Sequence, residues 1–285
     1  MIINDKFAGL TKNESGYIYA GDIYSDETIE INLDNHLTVK GSIKSLESII
    51  ATCGIKADED ITAGFDIKAG YGIEAGFDIK AGYGITAEYS ITAGYGITAD
   101  EGIEAGYGIT AGESITAGYG ITAGSGITAG FGIKAGYDIT AAFGITAGWG
   151  ITADEDITAG FDIKAGNGIE AGWGITAGFG ITAGYSITAG NGITAGYSIT
   201  AGYGIEAGNG ITAGSGITAG ESITAGWGIR AGEGIEAGDC IEAGERIFAG
   251  IKVLDGTEIC KKDITCAELK RGEICYGNLI LKKEA

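Results

Sequence analysis

Proline is absent from this chain of 285 residues, methionine and histidine occur once each, and basic residues number 18 against 38 acidic ones. The deficit of positive charge leaves a net charge of −20 at pH 7, which favours solubility and disfavours direct binding to nucleic acid or an anionic membrane surface. No apolar run approaches the roughly 20 residues that span a bilayer, so no membrane span is expected. The N-terminal stretch MIINDKFAGLTKNESGY lacks a basic segment followed by an apolar run, which argues against a secretory signal peptide. A cytoplasmic location is the expectation, with export to the cell surface by an unconventional route left open. The five cysteines (53, 240, 260, 266 and 275) are an odd number, which fits reduced thiols rather than a disulfide framework.

What is abundant is glycine, with 55 residues, and a strict period. Every sixth residue from Leu37 to Ile259 is Ile, Leu or Val, and from Ala51 to Ala249 the residue two further on is always Ala. The unit is Ile-x-Ala-Gly-x-x, and we number its places one to six. Six residues turn an α-helix by about 600°, so such a spacing makes no helical face. In a strand, residues two apart share a side, so Ile and Ala point inward and the residue between them, mostly Thr, points outward. Gly-x-Gly then turns the chain, drawing on the freedom of glycine to take positive φ. Short strands and short turns in alternation predict an all-β chain, a parallel β-solenoid (β-helix) of six-residue repeats with stacked Ile and Ala as its spine.

Coil size is read from place six. Along 66, 78, 90 and onward it is often Asp or Ser, as at Asp66, Asp78, Ser90, Asp162 and Ser186, whereas the alternate series from 72 is almost all Gly. A twelve-residue modulation favours flattened two-sided coils of 12 residues over three-sided coils of 18, although it also fits a twelve-residue unit of gene duplication. The domains expected are an N-terminal cap over 1–36, a repeat region over 37–253, and a C-terminal cap or dimerisation segment over 254–285. A solenoid needs such caps because an uncovered terminal coil is an aggregation-prone edge.

The phrases EAGYGITAGES (104–114) and TAGYGITAGSG (116–126) resemble the tandem AGYG-x-T repeats of bacterial ice-nucleation proteins. Those repeats form two-sided coils of sixteen residues, and the resemblance implies a two-sided coil here. A more distant likeness is to hexapeptide- and pentapeptide-repeat solenoids. Hexapeptide-repeat acyltransferases normally rely on a His base in a cleft between coils, and the single His36 precedes the repeat.

Place five holds most of the aromatic residues, including Trp149, Trp173 and Trp227, but also several Glu and Asn. A buried column could not accept unpaired Glu at coil after coil, so these rings lie on outer edges. They either brace the turns, as cross-strand pairs do, or offer a contact stripe. Acidic residues gather at Asp58, Glu59 and Asp60, at Asp100 and Glu101, at Asp154, Glu155 and Asp156, and at Glu233, Glu236, Asp239, Glu242 and Glu245. With twelve-residue coils, Thr176, Thr188, Thr200, Thr212 and Thr224 would form one outward file. The cysteine spacings lack the paired C-x2-C of a strong zinc signal, so neither metal nor cofactor is expected. Exposed acid pairs also lack the water-poor pocket that acid–base catalysis requires.

The expectation is therefore a non-enzymatic, acidic rod that acts by protein–protein binding. Its partner would have a basic surface, and the rod could inhibit a nucleic-acid-binding protein by mimicking DNA, as phage or plasmid counter-defence proteins do. The alternative is an ice-binding or self-assembling surface protein. A homodimer would form through the C-terminal segment or the aromatic stripe.

Overall fold

The computed structural model describes residues 1–251, 260–261, 263–266, 268–276 and 278–281. Two compact units divide the chain, Met1–Ala142 and Phe143–Ala285. Each is a parallel β-solenoid, and no helix occurs among the described residues. Most strands are three residues long and hold the Ile-x-Ala segment, as in Ile73–Ala75 of the first unit and Ile181–Ala183 of the second. Their burial runs in, out, in, and the spine Ile side chains are almost wholly buried, as at Ile91, Ile109, Ile187 and Ile199. Burying one such side chain contributes about 1.5–3 kcal/mol, and its repetition at every strand offsets the large entropic cost of ordering glycine-rich turns.

Strand pairing corrects the expected coil size. Ile73 pairs with Ile91 and Ile91 with Ile109 in the first unit; Ile163 pairs with Ile181 and Ile181 with Ile199 in the second. The register between neighbouring coils is thus 18 residues, and each coil has three strands and three corners. Thr176, Thr188, Thr200, Thr212 and Thr224 consequently do not form one file. They fall on three different faces, and the outward file that does exist is Thr158, Thr176, Thr194 and Thr212. A triangular cross-section places an Ile and an Ala from each side around one centre.

Segment 1–36 already contains a coil. Gly16–Tyr19, Ile23–Ser25 and Ile29–Ile31 pair in parallel with Leu37–Val39, Ile43–Ser45 and Ile49–Ala51 at an offset of twenty residues. Two extra residues between Ile31 and Leu37 shift the phase, so the six-residue clock looks absent there although Ile23, Ile29 and Ile31 lie in the spine. Leu10–Asn13 precedes this coil and forms an antiparallel hairpin with its first strand, Gly16–Tyr19, and Ile2–Ile3 pairs with Ile29–Ile31. At the other end Asp263–Cys266 stacks on Ile235–Ala237 and is followed in the same sheet by Asn278–Leu281. Glu268–Tyr276 runs parallel to Cys240–Ile251 with shifts of register.

The turns also differ from expectation in their cause. Positive φ occurs only at Gly9, Gly16 and Gly250 among the described residues, so the repeat glycines are not there for left-handed backbone. Place four is glycine because coils approach closely there. A Cβ built on Gly184 would collide with the carbonyl oxygen of Gly166, and one on Gly76 with that of Asp58. Side chains at place four are confined to a few turns, among them Asp58, Glu88, Asp100 and Asp154. Place six is roomier, since a Cβ on Gly204 would meet Ser222 Oγ at 3.4 Å, an ordinary contact. Gly184→Ala should therefore cost about 1–3 kcal/mol as an overpacking change. Gly204→Ser should stay within about 0.5 kcal/mol. Urea unfolding midpoints of the two variants check this contrast.

Candidate interaction surfaces

Each corner repeats three backbone bonds between coils. In the second unit Gly184 N–H donates to Ala165 O (3.1 Å), Tyr185 N–H to Asn167 O (2.9 Å) and Ile169 N–H to Ser186 O (2.9 Å). Place-five residues of successive coils are thereby stacked directly above one another, which produces the aromatic columns. Tyr71, Tyr89 and Tyr107 form one in the first unit, with ring centroids 4.9 and 5.1 Å apart. His36 sits at its end, 5.0 Å from Tyr71. Phe143, Phe161, Phe179 and Tyr197 form one in the second unit, with spacings of 5.1, 4.9 and 4.8 Å. The stacked rings remain on the outside; Tyr107 is 53% exposed and Phe143 60%.

Place six supplies a different link. Its N–H has no part in the three bonds above, and aspartate provides the acceptor. Gly84, Gly96, Gly174 and Gly180 each donate N–H to the Oδ1 of the Asp one coil earlier, at Asp66, Asp78, Asp156 and Asp162, over 2.8–3.2 Å. Moving 18 residues along a series that alternates every six leads from an Asp to a Gly. At Asp66, Asp78 and Asp162 this link coincides with the twelve-residue modulation. In three FDIK segments the second carboxylate oxygen is also used: Lys68 pairs with Asp66 (3.0 Å), Lys80 with Asp78 (2.8 Å) and Lys164 with Asp162 (2.8 Å).

Beside several ridges of place-five side chains runs a shallow groove, floored by places six and one and bounded by the outward place-two residues of the next strands. One in the first unit, about 350 Å³, is lined by His36, Tyr71, Tyr89, Lys56, Glu74 and Thr92. Another, about 450 Å³, runs past Tyr83, Glu101, Tyr119 and Tyr137. In the second unit two adjoining stretches of about 240 and 200 Å³ share Ser186 and Thr188. Trp149, Tyr185 and Tyr203 form one wall, and Glu170, Thr188 and Glu206 the other. The repeat's own asymmetry, a bulky place five followed by a small place six, was a signal for these grooves that the flat strand pattern alone did not reveal.

The acidic residues singled out by sequence are dispersed by the fold. Asp58 pairs with Lys40 at 3.1 Å, Glu59 accepts the Ser42 hydroxyl, and Asp60 accepts the N–H of Asp78. Asp100 and Glu101 occupy a different corner, with Glu101 N–H bonded to Tyr83 O. Asp154, Glu155 and Asp156 belong to the second unit, where Asp156 binds Gly174. Glu233, Asp239 and Glu245 lie at three different corners, and Glu236 and Glu242 on two different faces. Within each unit they lie at different corners and faces instead of forming one patch. Trp149 is at one corner and Trp173 and Trp227 at another, and the three are 55–63% exposed.

Cys53, Cys240 and Cys266 are buried and unbridged, and burial pushes the Cys53 thiol up. The side chains of Cys260 and Cys275 lie outside the described residues. No group of three or more His, Cys, Asp or Glu able to hold a metal is present among the described residues.

Lys80, and then the Gly96 N–H, holds the Asp78 carboxyl below the usual carboxylate range, against the opposing effect of its partial burial. A depressed folded value means stability that is present above the ordinary carboxylate pKa of about 3.9 and lost as pH falls through the lower folded value. Asp78→Ala should lower the melting temperature at pH 7, and the gap to the parent protein should narrow and close as pH falls below the ordinary carboxylate range. Thermal melts followed by circular dichroism across that pH range measure it.

No helix of the described residues is long and apolar enough to cross a membrane. Comparison with protein-family models, curated proteins and solved structures found no match, so the likeness to ice-nucleation repeats rests on short phrases, and the three-sided coil departs from it.

Proposed function

We propose that the protein is a non-enzymatic binding module whose acidic, aromatic-edged grooves hold a basic surface of another protein. One file of side chains carries this reading. Along one face of the second unit, Thr152, Glu170, Thr188, Glu206, Thr224 and Glu242 stand in register, so a carboxylate recurs at every second coil beside the wall of Trp149, Tyr185 and Tyr203. Two coils advance by about 10 Å, which matches three residues of an extended strand. An extended segment with Lys or Arg at every third place would meet each carboxylate in turn, with ring faces and edges nearby for its cations.

Mimicry of DNA is the local form of this reading. Duplex DNA carries one charge per about 1.7 Å, whereas a coil advances about 4.8 Å and residues 171–205 have no charged side chain at all. Phosphate-like density is thus confined to single turns such as Asp154, Glu155 and Asp156.

A second reading, an ice-active or self-assembling protein, draws on the unbroken file Thr158, Thr176, Thr194 and Thr212. Thermal hysteresis and droplet-freezing assays, with light scattering for assembly, test it; inactivity in all three removes it.

For the leading reading, a basic partner captured from lysate should be released by salt and displaced by duplex DNA. The triple variant Glu170→Gln, Glu206→Gln, Glu242→Gln should bind it about tenfold more weakly, because each exposed ion pair contributes about 0.2–1 kcal/mol. Binding indifferent to salt and to the triple variant would overturn the assignment.

A further inference from the structure

One corner of the second unit breaks the rule that aromatic rings cover one another. Its place-five column reads Glu155, Trp173, Asn191, Asn209, Trp227, Glu245, with each N–H bonded to the carbonyl one coil earlier: Asn191 to Trp173 (2.7 Å), Asn209 to Asn191 (2.7 Å) and Trp227 to Asn209 (2.8 Å). Two short side chains therefore stand between two indoles. Trp173 and Trp227 are 56% and 63% exposed, and neither stacks on another ring among the described residues. The indoles are three coils apart, about 14 Å. An indole reaches farther from the backbone than an asparagine, so the column is notched between them. The floor is the pair of amides, joined by a hydrogen bond from Asn209 Nδ2 to Asn191 Oδ1. The exposed hydroxyls of Thr176, Thr194 and Thr212 flank one side.

We infer that this notch binds a short neutral saccharide. The negative face of an indole attracts the polarised C–H face of a sugar ring. The amide floor still has both donor and acceptor capacity, since Asn191 Nδ2 and Asn209 Oδ1 are not the atoms that bond the pair, and hydroxyl groups are likewise donors and acceptors. The column between the two indoles has no charge to select an ion. A nucleic acid, the other ligand with stackable rings, would bring phosphates to a chain of net charge −20. The site is at a different corner from the wall of Trp149, Tyr185 and Tyr203, and it does not rest on the protein-binding proposal.

The test titrates the full chain with maltotriose, cellotriose, mannotriose and the trimer of N-acetylglucosamine, followed by calorimetry and tryptophan fluorescence. At least one trimer should bind one to one with a dissociation constant of about 1 mM or tighter. Trp173→Ala and Trp227→Ala should each weaken it tenfold or more. The double variant Asn191→Tyr, Asn209→Tyr fills the notch with rings, an arrangement already accepted in the same two coils by the Tyr185–Tyr203 stack. It should keep its circular dichroism and unfolding midpoint and lose binding. No heat or fluorescence change with any trimer at about 10 mM would overturn the proposal, as would binding that survives the double Tyr variant. Self-association abolished by that variant in sedimentation runs would overturn it too, assigning the notch to a second copy.

Discussion

Coil-to-coil hydrogen bonding at 18-residue register is the constraint from which the other features follow. Because the N–H of place four donates to the carbonyl of place three one coil back, the chain at place four passes against the preceding coil's own place-four carbonyl. Only a residue without Cβ fits there without displacing the neighbour. The glycine content of the chain is thus a packing requirement repeated at corner after corner, and conformational freedom has little part in it. Once place four is glycine, the strand that follows can seat its Ile and Ala in the spine at the same depth in each coil.

The same register decides what the outside can present. Place five is stacked along the axis, so aromatic rings of successive coils fall about 4.8 Å apart and cover each other's faces. Place six carries the one corner N–H that the ladder omits, and Asp66, Asp78, Asp156 and Asp162 supply acceptors for it. Several carboxylates that look like free surface charge therefore stitch coils together. Charge available to a partner is found more at place two, where Glu170, Glu206 and Glu242 point outward between threonines.

The fold class was legible because Ile and Ala two apart, repeated every six residues, admit a strand and exclude a helix. Coil size was not, because one hexad is one side and a sequence does not say how many sides close. The twelve-residue alternation pointed to two. At Asp66, Asp78 and Asp162 it coincides with an Asp-to-Gly link between successive coils, whose 18-residue step inverts a series that alternates every six. The phase slip between Ile31 and Leu37 hid the coil within 1–36 for a simpler reason, since two inserted residues break a clock without breaking a spine. Among candidate surfaces, the exposure of Trp149, Trp173 and Trp227 was readable from the Glu and Asn that share their place in the repeat. Which acids stand together was not, because residues 18 apart touch and residues 12 apart face different ways.

What the molecule offers to others is thus set by which side chains the 18-residue register brings together. Paired cysteines in a variant whose native cysteines are replaced test that register most directly. With Thr176→Cys and Thr194→Cys, mild oxidation should close a disulfide in the folded protein, because the two outward positions are adjacent across a parallel ladder. With Thr176→Cys and Thr188→Cys no bond should form, since those positions lie on different faces. Closure of the second pair and not the first would contradict the three-sided coil, and with it the columns, grooves and links argued from it.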